Sequence, residues 1–178
     1  LHVLTHSFPT RRSSDLGILV NGGDKVSAYM TENFEESLGV NSRLQLAEAE
    51  SILKHRKNVE LMTAGVTIID PDNTYVAPEV TVGADTILHP GTVLEGNTVI
   101  GENCEIGPHT RLTNVTVGNN TVIHFTYGHD CEVKDGVDIG PYVHLRPNTV
   151  IGNKVHIGNF VEVKNSNVGE GTKFPHLS

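Results

Sequence analysis

The chain has 178 residues, no tryptophan and a formal net charge of -8 at pH 7. An acidic chain lacks the basic stripe that a nucleic-acid surface needs, so we expect no nucleic-acid partner. The sequence has neither a long apolar run nor a secretory signal, so we expect no membrane insertion. Two cysteines are too few for a disulfide framework, which favours a reducing compartment and a cytoplasmic protein.

The first segment, residues 1–16, differs in character from the rest of the chain. Residues 6–16 read HSFPTRRSSDL, which looks like a sequencing-adaptor oligonucleotide translated in one frame. We therefore treat residues 1–16 as a non-native scar and leave them out of the fold argument. The alternative is a basic N-terminal tail.

The next segment, residues 17–41, is too short to form a domain. It is predicted to hold the end of a helix, a turn at Asn21–Asp24 and a strand at Val26–Met30. These elements would have to belong to a larger domain.

Residues 42–74 are predicted to form a linking helix and a turn. Ser42 and Gln45 are spaced as in a capping box, in which both side chains accept hydrogen bonds from the first free backbone N–H groups of a helix. Aliphatic residues follow at helical spacing to about Met62. The run Asp70–Asn73 is a strong turn signal that ends this connector.

From residue 75 onward, aliphatic residues recur every six positions. This period fits neither a helix nor an alternating strand, but it fits a chain that turns a corner every six residues. Three turns close one coil, and stacked coils bury the aliphatics in a line. The pattern predicts a parallel β-helix over residues 75–178. Its first seven inward residues are Val76, Val82, Leu88, Leu94, Ile100, Ile106 and Leu112.

The repeat continues to Val163 with two departures from the period. One residue is missing before Val117, and the step from Ile123 to Val133 is irregular, with Gly128 where an aliphatic is expected. A gap in the inward line would loosen the coil, so we expect a bulge or a loop at this step.

Four runs add detail beyond the repeat: GVNSRLQL at 39–46, GVTIIDP at 65–71, LRP at 145–147 and GNFVEVK at 158–164. With them, residues 17–178 resemble the bacterial bifunctional N-acetylglucosamine-1-phosphate uridyltransferases and glucosamine-1-phosphate N-acetyltransferases. The resemblance implies that 17–41 is the end of an α/β nucleotidyltransferase domain. It also implies that 75–178 is the N-terminal half of a left-handed β-helix acetyltransferase domain, which assembles as a homotrimer.

The resemblance also implies two reactions. The family transfers the acetyl group of acetyl-CoA to glucosamine-1-phosphate and then couples the product to UTP, with Mg²⁺, to give UDP-N-acetylglucosamine for peptidoglycan and lipopolysaccharide synthesis. Further residues of both active sites would lie outside residues 17–178. We therefore expect the isolated chain to have no appreciable activity.

Two cations match the residues with which this family binds the sugar phosphate, Arg146 and Lys164. Each directly follows an inward aliphatic, and the two are one full coil of 18 residues apart, so Lys164 should lie one coil above Arg146. Two stacked cations repel unless an anion lies between them, and a guanidinium beside an ammonium suits a phosphate. The alternative is a pair of solvated surface charges.

Two further residues are assigned by the resemblance alone. His176 matches the catalytic histidine that acts as general base on the substrate amine, a role that suits an imidazole. It follows Phe174 and Pro175, where the family has small residues. Asn41 matches the asparagine that binds Mg²⁺ and the UDP-sugar, and its carbonyl oxygen suits a hard cation. The alternative for Asn41 is a helix cap or a turn.

Two other functions are compatible with a β-helix. The domain could be a non-catalytic oligomerisation or regulatory part of a sugar-nucleotide pyrophosphorylase. It could also be a zinc enzyme similar to the γ-class carbonic anhydrases, because three imidazoles and a water suit catalytic zinc. The candidate ligands are His89, His124 and His129.

Overall fold

The computed structural model describes residues 17–23, 25, 27, 33, 35 and 38–177, in two compact units, Leu1–Ile52 and Leu53–Ser178. In the first unit, residues 17–21 are helical, and the helix ends in a turn at Gly22 and Gly23 as predicted. The scar at residues 1–16 and the strand predicted at Val26–Met30, apart from Ser27, lie outside the described residues.

The linking helix α1 spans Arg43–Thr63, and Ser42 is its cap. The Ser42 hydroxyl oxygen accepts the Gln45 N–H at 3.1 Å, as a capping box requires. The Gln45 side chain reaches one residue further back than in the usual box, because its Oε1 accepts the Asn41 N–H at 2.7 Å. No helix among the described residues is long and apolar enough to cross a membrane.

The second unit is a parallel β-solenoid of about six coils, which confirms the fold predicted from the repeat. The predicted turn is a short 3₁₀ helix, Pro71–Asn73, capped by the Asp70 side chain. Strands then stack into three faces. The first face consists of β1 (Thr67–Ile68), β4 (Ile87–Leu88), β7 (Glu105–Ile106), β9 (Val122–Ile123), β11 (Asp138–Ile139), β14 (His156–Ile157) and β17 (Lys173–Phe174).

The other two faces share two long strands that continue from one face to the next. The second face consists of β2 (Tyr75–Val76), β5 (Val93–Glu95), the first part of β8 (Arg111–Val117) and of β10 (Thr126–Val133), β12 (Val143–Leu145) and β15 (Glu162–Val163). The third consists of β3 (Thr81–Val82), β6 (Val99–Ile100), the last part of β8 and β10, β13 (Val150–Ile151) and β16 (Asn167–Val168).

The core is the line of inward aliphatics on each face. Leu94 lies in register with Leu112, and neither side chain is exposed. Buried threonine hydroxyls join successive coils between these lines. Thr86 Oγ1 donates to the Gly101 carbonyl at 2.8 Å and accepts the Cys104 N–H at 3.0 Å. Cys104 itself is buried and serves as a small residue of the core.

The loop or bulge expected between Ile123 and Val133 is wrong. Gly128 lies in β10, in register with Leu112 below it and Leu145 above it. A Cβ on Gly128 would lie 3.1 Å from Leu112 Cδ2, so the two leucines fill the space that an aliphatic side chain would occupy. Glycine thus keeps this shortened coil in the stack. The left-handed winding and the preceding nucleotidyltransferase domain stay predictions.

Candidate functional site

The structure stacks Arg146 and Lys164 as predicted. β12 pairs with β15 so that Leu145 faces Val163, and the Arg146 N–H donates to the Val163 carbonyl at 2.9 Å. Lys164, the next residue after Val163, is therefore one coil above Arg146. Neighbouring parallel strands lie about 4.8 Å apart, a separation over which one anion can contact both side chains.

Glu162 is a third charged residue of this site, and the sequence analysis missed it. Arg146 Nη1 donates to Glu162 Oε1 at 2.8 Å. That hydrogen bond and the charge of Arg146, with smaller contributions from His144 and Lys164, lower the pKa of Glu162 below its ordinary value. Lys164 is exposed and has no ion pair among the described residues. The site therefore has one cation held by a carboxylate and one that a new anion can approach directly.

A group of aromatic side chains lies beside this ion pair on the second face. His144 is in register with Tyr127 on one side and with Glu162 on the other. Its ring centroid is 5.2 Å from that of Tyr127 and 6.0 Å from that of His129. Burial lowers the pKa of His144, and its Nε2 is buried with no hydrogen-bond partner among the described residues. The alternation of β12 places His144 and Arg146 on the same surface.

His176 lies at a different corner from the two stacked cations. It is an exposed residue in a bend just after β17, between the first and second faces. Phe174 extends the inward line above Ile157, so the large side chain before His176 is accommodated in the core. A Cβ on Gly158 would overlap the Pro175 carbonyl, so glycine is required beneath this bend.

Asn41 belongs to the first unit and is exposed just before the start of α1. The cap of α1 is formed by Ser42 and not by Asn41, so the structure does not support the capping alternative. Asn41 offers one side-chain carbonyl oxygen to a cation.

The three histidines proposed as zinc ligands do not come together within the described chain. His89 Nε2 lies 2.9 Å from a Glu105 carboxylate oxygen, and His124 Nδ1 lies 2.6 Å from the Gly107 carbonyl oxygen. His129 is on the second face, where it contacts its neighbouring aspartate. Within the described part of the chain, no three His, Cys, Asp or Glu side chains form a group that could hold a metal ion.

Comparison with known proteins shows related sequences along most of this chain. Residues 71–168 match the sequence profile of the GMPPB C-terminal domain family. The bifunctional protein GlmU of Geobacillus sp. (strain WCH70) is 50% identical over 161 residues, which cover 90% of this chain and 35% of that protein. GlmU of Clostridium beijerinckii is 46% identical over 163 residues, 92% of this chain and 36% of that protein. The chain thus spans little more than a third of these relatives.

One solved structure that matches this chain is a mutant of GDP-perosamine N-acetyltransferase from Caulobacter crescentus, in complex with CoA and GDP-perosamine. It is 15% identical and covers 90% of this chain and 70% of its own, with a TM-score of 0.39.

Proposed function

We propose that this chain, which belongs to the GMPPB C-terminal domain family and is related to the bifunctional GlmU proteins, forms part of a sugar-phosphate acetyltransferase site. The acceptor is glucosamine-1-phosphate and the donor is acetyl-CoA. The observation that supports this best is the stacking of Arg146 and Lys164 on successive coils. The relatives match nearly the whole described chain, so the non-catalytic and zinc alternatives are not favoured.

In this proposal, the two cations hold the substrate by its phosphate. Lys164 provides a mobile positive charge, whereas Arg146 provides two parallel N–H donors for two phosphate oxygens. Fixing the phosphate positions the sugar amine for attack, and positioning of this kind lowers the barrier by reducing the entropy lost at the reactive step.

His176 acts as the general base in the proposed reaction. The amine nitrogen attacks the thioester carbonyl carbon, the imidazole accepts the proton that the nitrogen loses, and the thiolate of CoA leaves. His176 lies at another corner of the solenoid than the phosphate site. The proposal therefore includes a second copy of the chain in a homotrimer, so that side chains at different corners line one cleft.

The uridylyl transfer from UTP, with Mg²⁺, and a cytoplasmic location complete the proposal by analogy with the family. Asn41 would contribute one oxygen ligand to the metal. Mg²⁺ requires near-octahedral oxygen coordination, so Asn41 alone does not form a complete site.

Binding of glucosamine-1-phosphate to the isotope-labelled chain, followed by NMR, tests the phosphate site. We expect chemical-shift changes at Arg146 and Lys164, with Arg146→Met or Lys164→Met weakening binding at least tenfold if each phosphate contact contributes about 1.5 to 3 kcal/mol. Lys154→Met is the matched control, because Lys154 is an exposed lysine at another corner. Equal affinities for all three variants would overturn the site.

Mass spectrometry of reactions with glucosamine-1-phosphate and acetyl-CoA tests the activity. The protein used is the longest reading frame that contains this sequence. We expect N-acetylglucosamine-1-phosphate to form, and His176→Ala to reduce the rate by about 100-fold or more. A rate unchanged by His176→Ala would remove that residue from the reaction.

A further inference from the structure

The second face has a buried nitrogen without a partner directly beside the Arg146–Glu162 ion pair. His144 Nε2 is buried and makes no hydrogen bond among the described residues. A buried polar atom left unpaired costs free energy, so a state in which this nitrogen gains a partner is favoured. His144 lies in register with Glu162 on the next coil.

The proposed substrate must compete with Glu162 for Arg146. Arg146 Nη1 already donates to the Glu162 carboxylate at 2.8 Å, and a phosphate that binds end-on through Nη1 and Nη2 takes the same donor. When the phosphate takes this donor, Glu162 loses its hydrogen bond to Arg146. The residue in register with it is His144, on the neighbouring strand, and neighbouring strands lie about 4.8 Å apart.

We propose that His144 is a positioning residue that takes up one proton from solvent and pairs with Glu162 when a sugar phosphate binds to Arg146. This inference rests on the phosphate site of the proposed function. In the free protein, His144 is neutral and Glu162 is held by Arg146. In the complex, the phosphate is held by Arg146 and Lys164, and the imidazolium compensates the carboxylate that Arg146 has released.

The surroundings of His144 favour this exchange over protonation of a neighbour. Burial lowers the pKa of His144, so the imidazole is neutral before binding and can accept a proton. His129, the other imidazole nearby, already contacts Asp130 at 3.2 Å. The titratable and charged groups that face His144 are Tyr127 and His129 from β10, Arg146 from its own strand, and Glu162 from the coil above, while Lys164 acts on Glu162.

Isothermal titration calorimetry with glucosamine-1-phosphate measures the proton directly. In buffers of different ionisation enthalpy, we expect uptake approaching one proton per phosphate bound at pH 7, since the bound form holds the extra proton. Affinity should then rise by up to about tenfold per pH unit as pH falls. The phosphate itself gains a proton near pH 6, so the comparison is made above about pH 6.5 and against His144→Gln.

His144→Gln should abolish the uptake, and His156→Gln, which changes an exposed histidine on the first face, should leave it unchanged. Uptake that persists in His144→Gln would overturn the proposal, as would binding to the unchanged protein without proton uptake.

A second experiment needs no ligand and separates this proposal from the proposed function. Arg146→Met frees Glu162 and should raise the pKa of His144, as followed by NMR. Removing a positive charge would also raise it, so Arg146→Met is compared with the double variant Arg146→Met/Glu162→Gln. Glu162→Gln alone completes the cycle: it should lower the pKa of His144 more when Arg146 is absent than when it is present, and equal effects overturn the exchange. Absence of glucosamine-1-phosphate binding would instead count against the phosphate site alone.

Discussion

The hydroxyl of Thr86 is expected to stabilise the junction between two coils by satisfying a buried amide. Thr86 has no exposed surface, and its oxygen is the acceptor of the Cys104 N–H at 3.0 Å. Thr86→Val keeps the shape of the side chain but leaves that amide without an acceptor. The free energy of unfolding should fall by about 1 to 3 kcal/mol. At about 2 to 4 °C per kcal/mol for a chain of this size, the thermal midpoint should fall by about 2 to 12 °C.

Thr86→Ser is the matched control, because it keeps the hydroxyl and loses one methyl group at a cost of about 1 kcal/mol. Circular dichroism gives the thermal midpoints, and amide hydrogen exchange locates the effect. The Cys104 amide should exchange faster in Thr86→Val than in Thr86→Ser. If Thr86→Val has the same thermal midpoint as the unchanged protein and its Cys104 amide stays protected from exchange, the hydroxyl does not hold the coils together.

Gly128→Val should lower the thermal midpoint, because a branched side chain overpacks against Leu112 at a cost of about 1 to 3 kcal/mol, and an unchanged midpoint would contradict the packing described for this coil. The pKa of Glu162 should lie below its ordinary value of 4.5, so the stabilisation by its pair with Arg146 is present above that value and is lost as pH falls through the lowered pKa. NMR titration should show the Glu162 pKa return toward 4.5 in Arg146→Met. Burial raises the pKa of Cys131 to about 12, so its thiol should resist alkylation at neutral pH until the chain unfolds, and rapid labelling of the folded protein would refute this.

The spacing of aliphatic residues was sufficient to predict the solenoid and the stacking of its two cations. A six-residue period has few physical solutions, and residues one coil apart must share a corner once the coils stack. Arg146 and Lys164 were identified by resemblance to a family, and the repeat then predicted that they stack, because each follows an inward aliphatic. The capping box at Ser42 could be predicted because it depends only on residues three positions apart in the sequence.

The partners of these cations could not be predicted from spacing alone. Glu162 and His144 are outward residues on neighbouring coils, and a repeat pattern does not tell which outward side chains form an ion pair. The error at Gly128 has another cause. A glycine in an inward line was interpreted as a missing contact, whereas leucines above and below occupy the space.

The shortened coil at Gly128 shows that each face of the solenoid sets its own register. The chain covers 16 residues between Leu112 and Gly128, against 18 between Val76 and Leu94, yet the strands pair in register on both sides of the short coil. A deletion at a corner is therefore absorbed within one turn and does not shift the strands that follow. Corner length can thus vary independently in each coil, so loops could be lengthened or shortened there while the cation stack on later coils keeps its geometry.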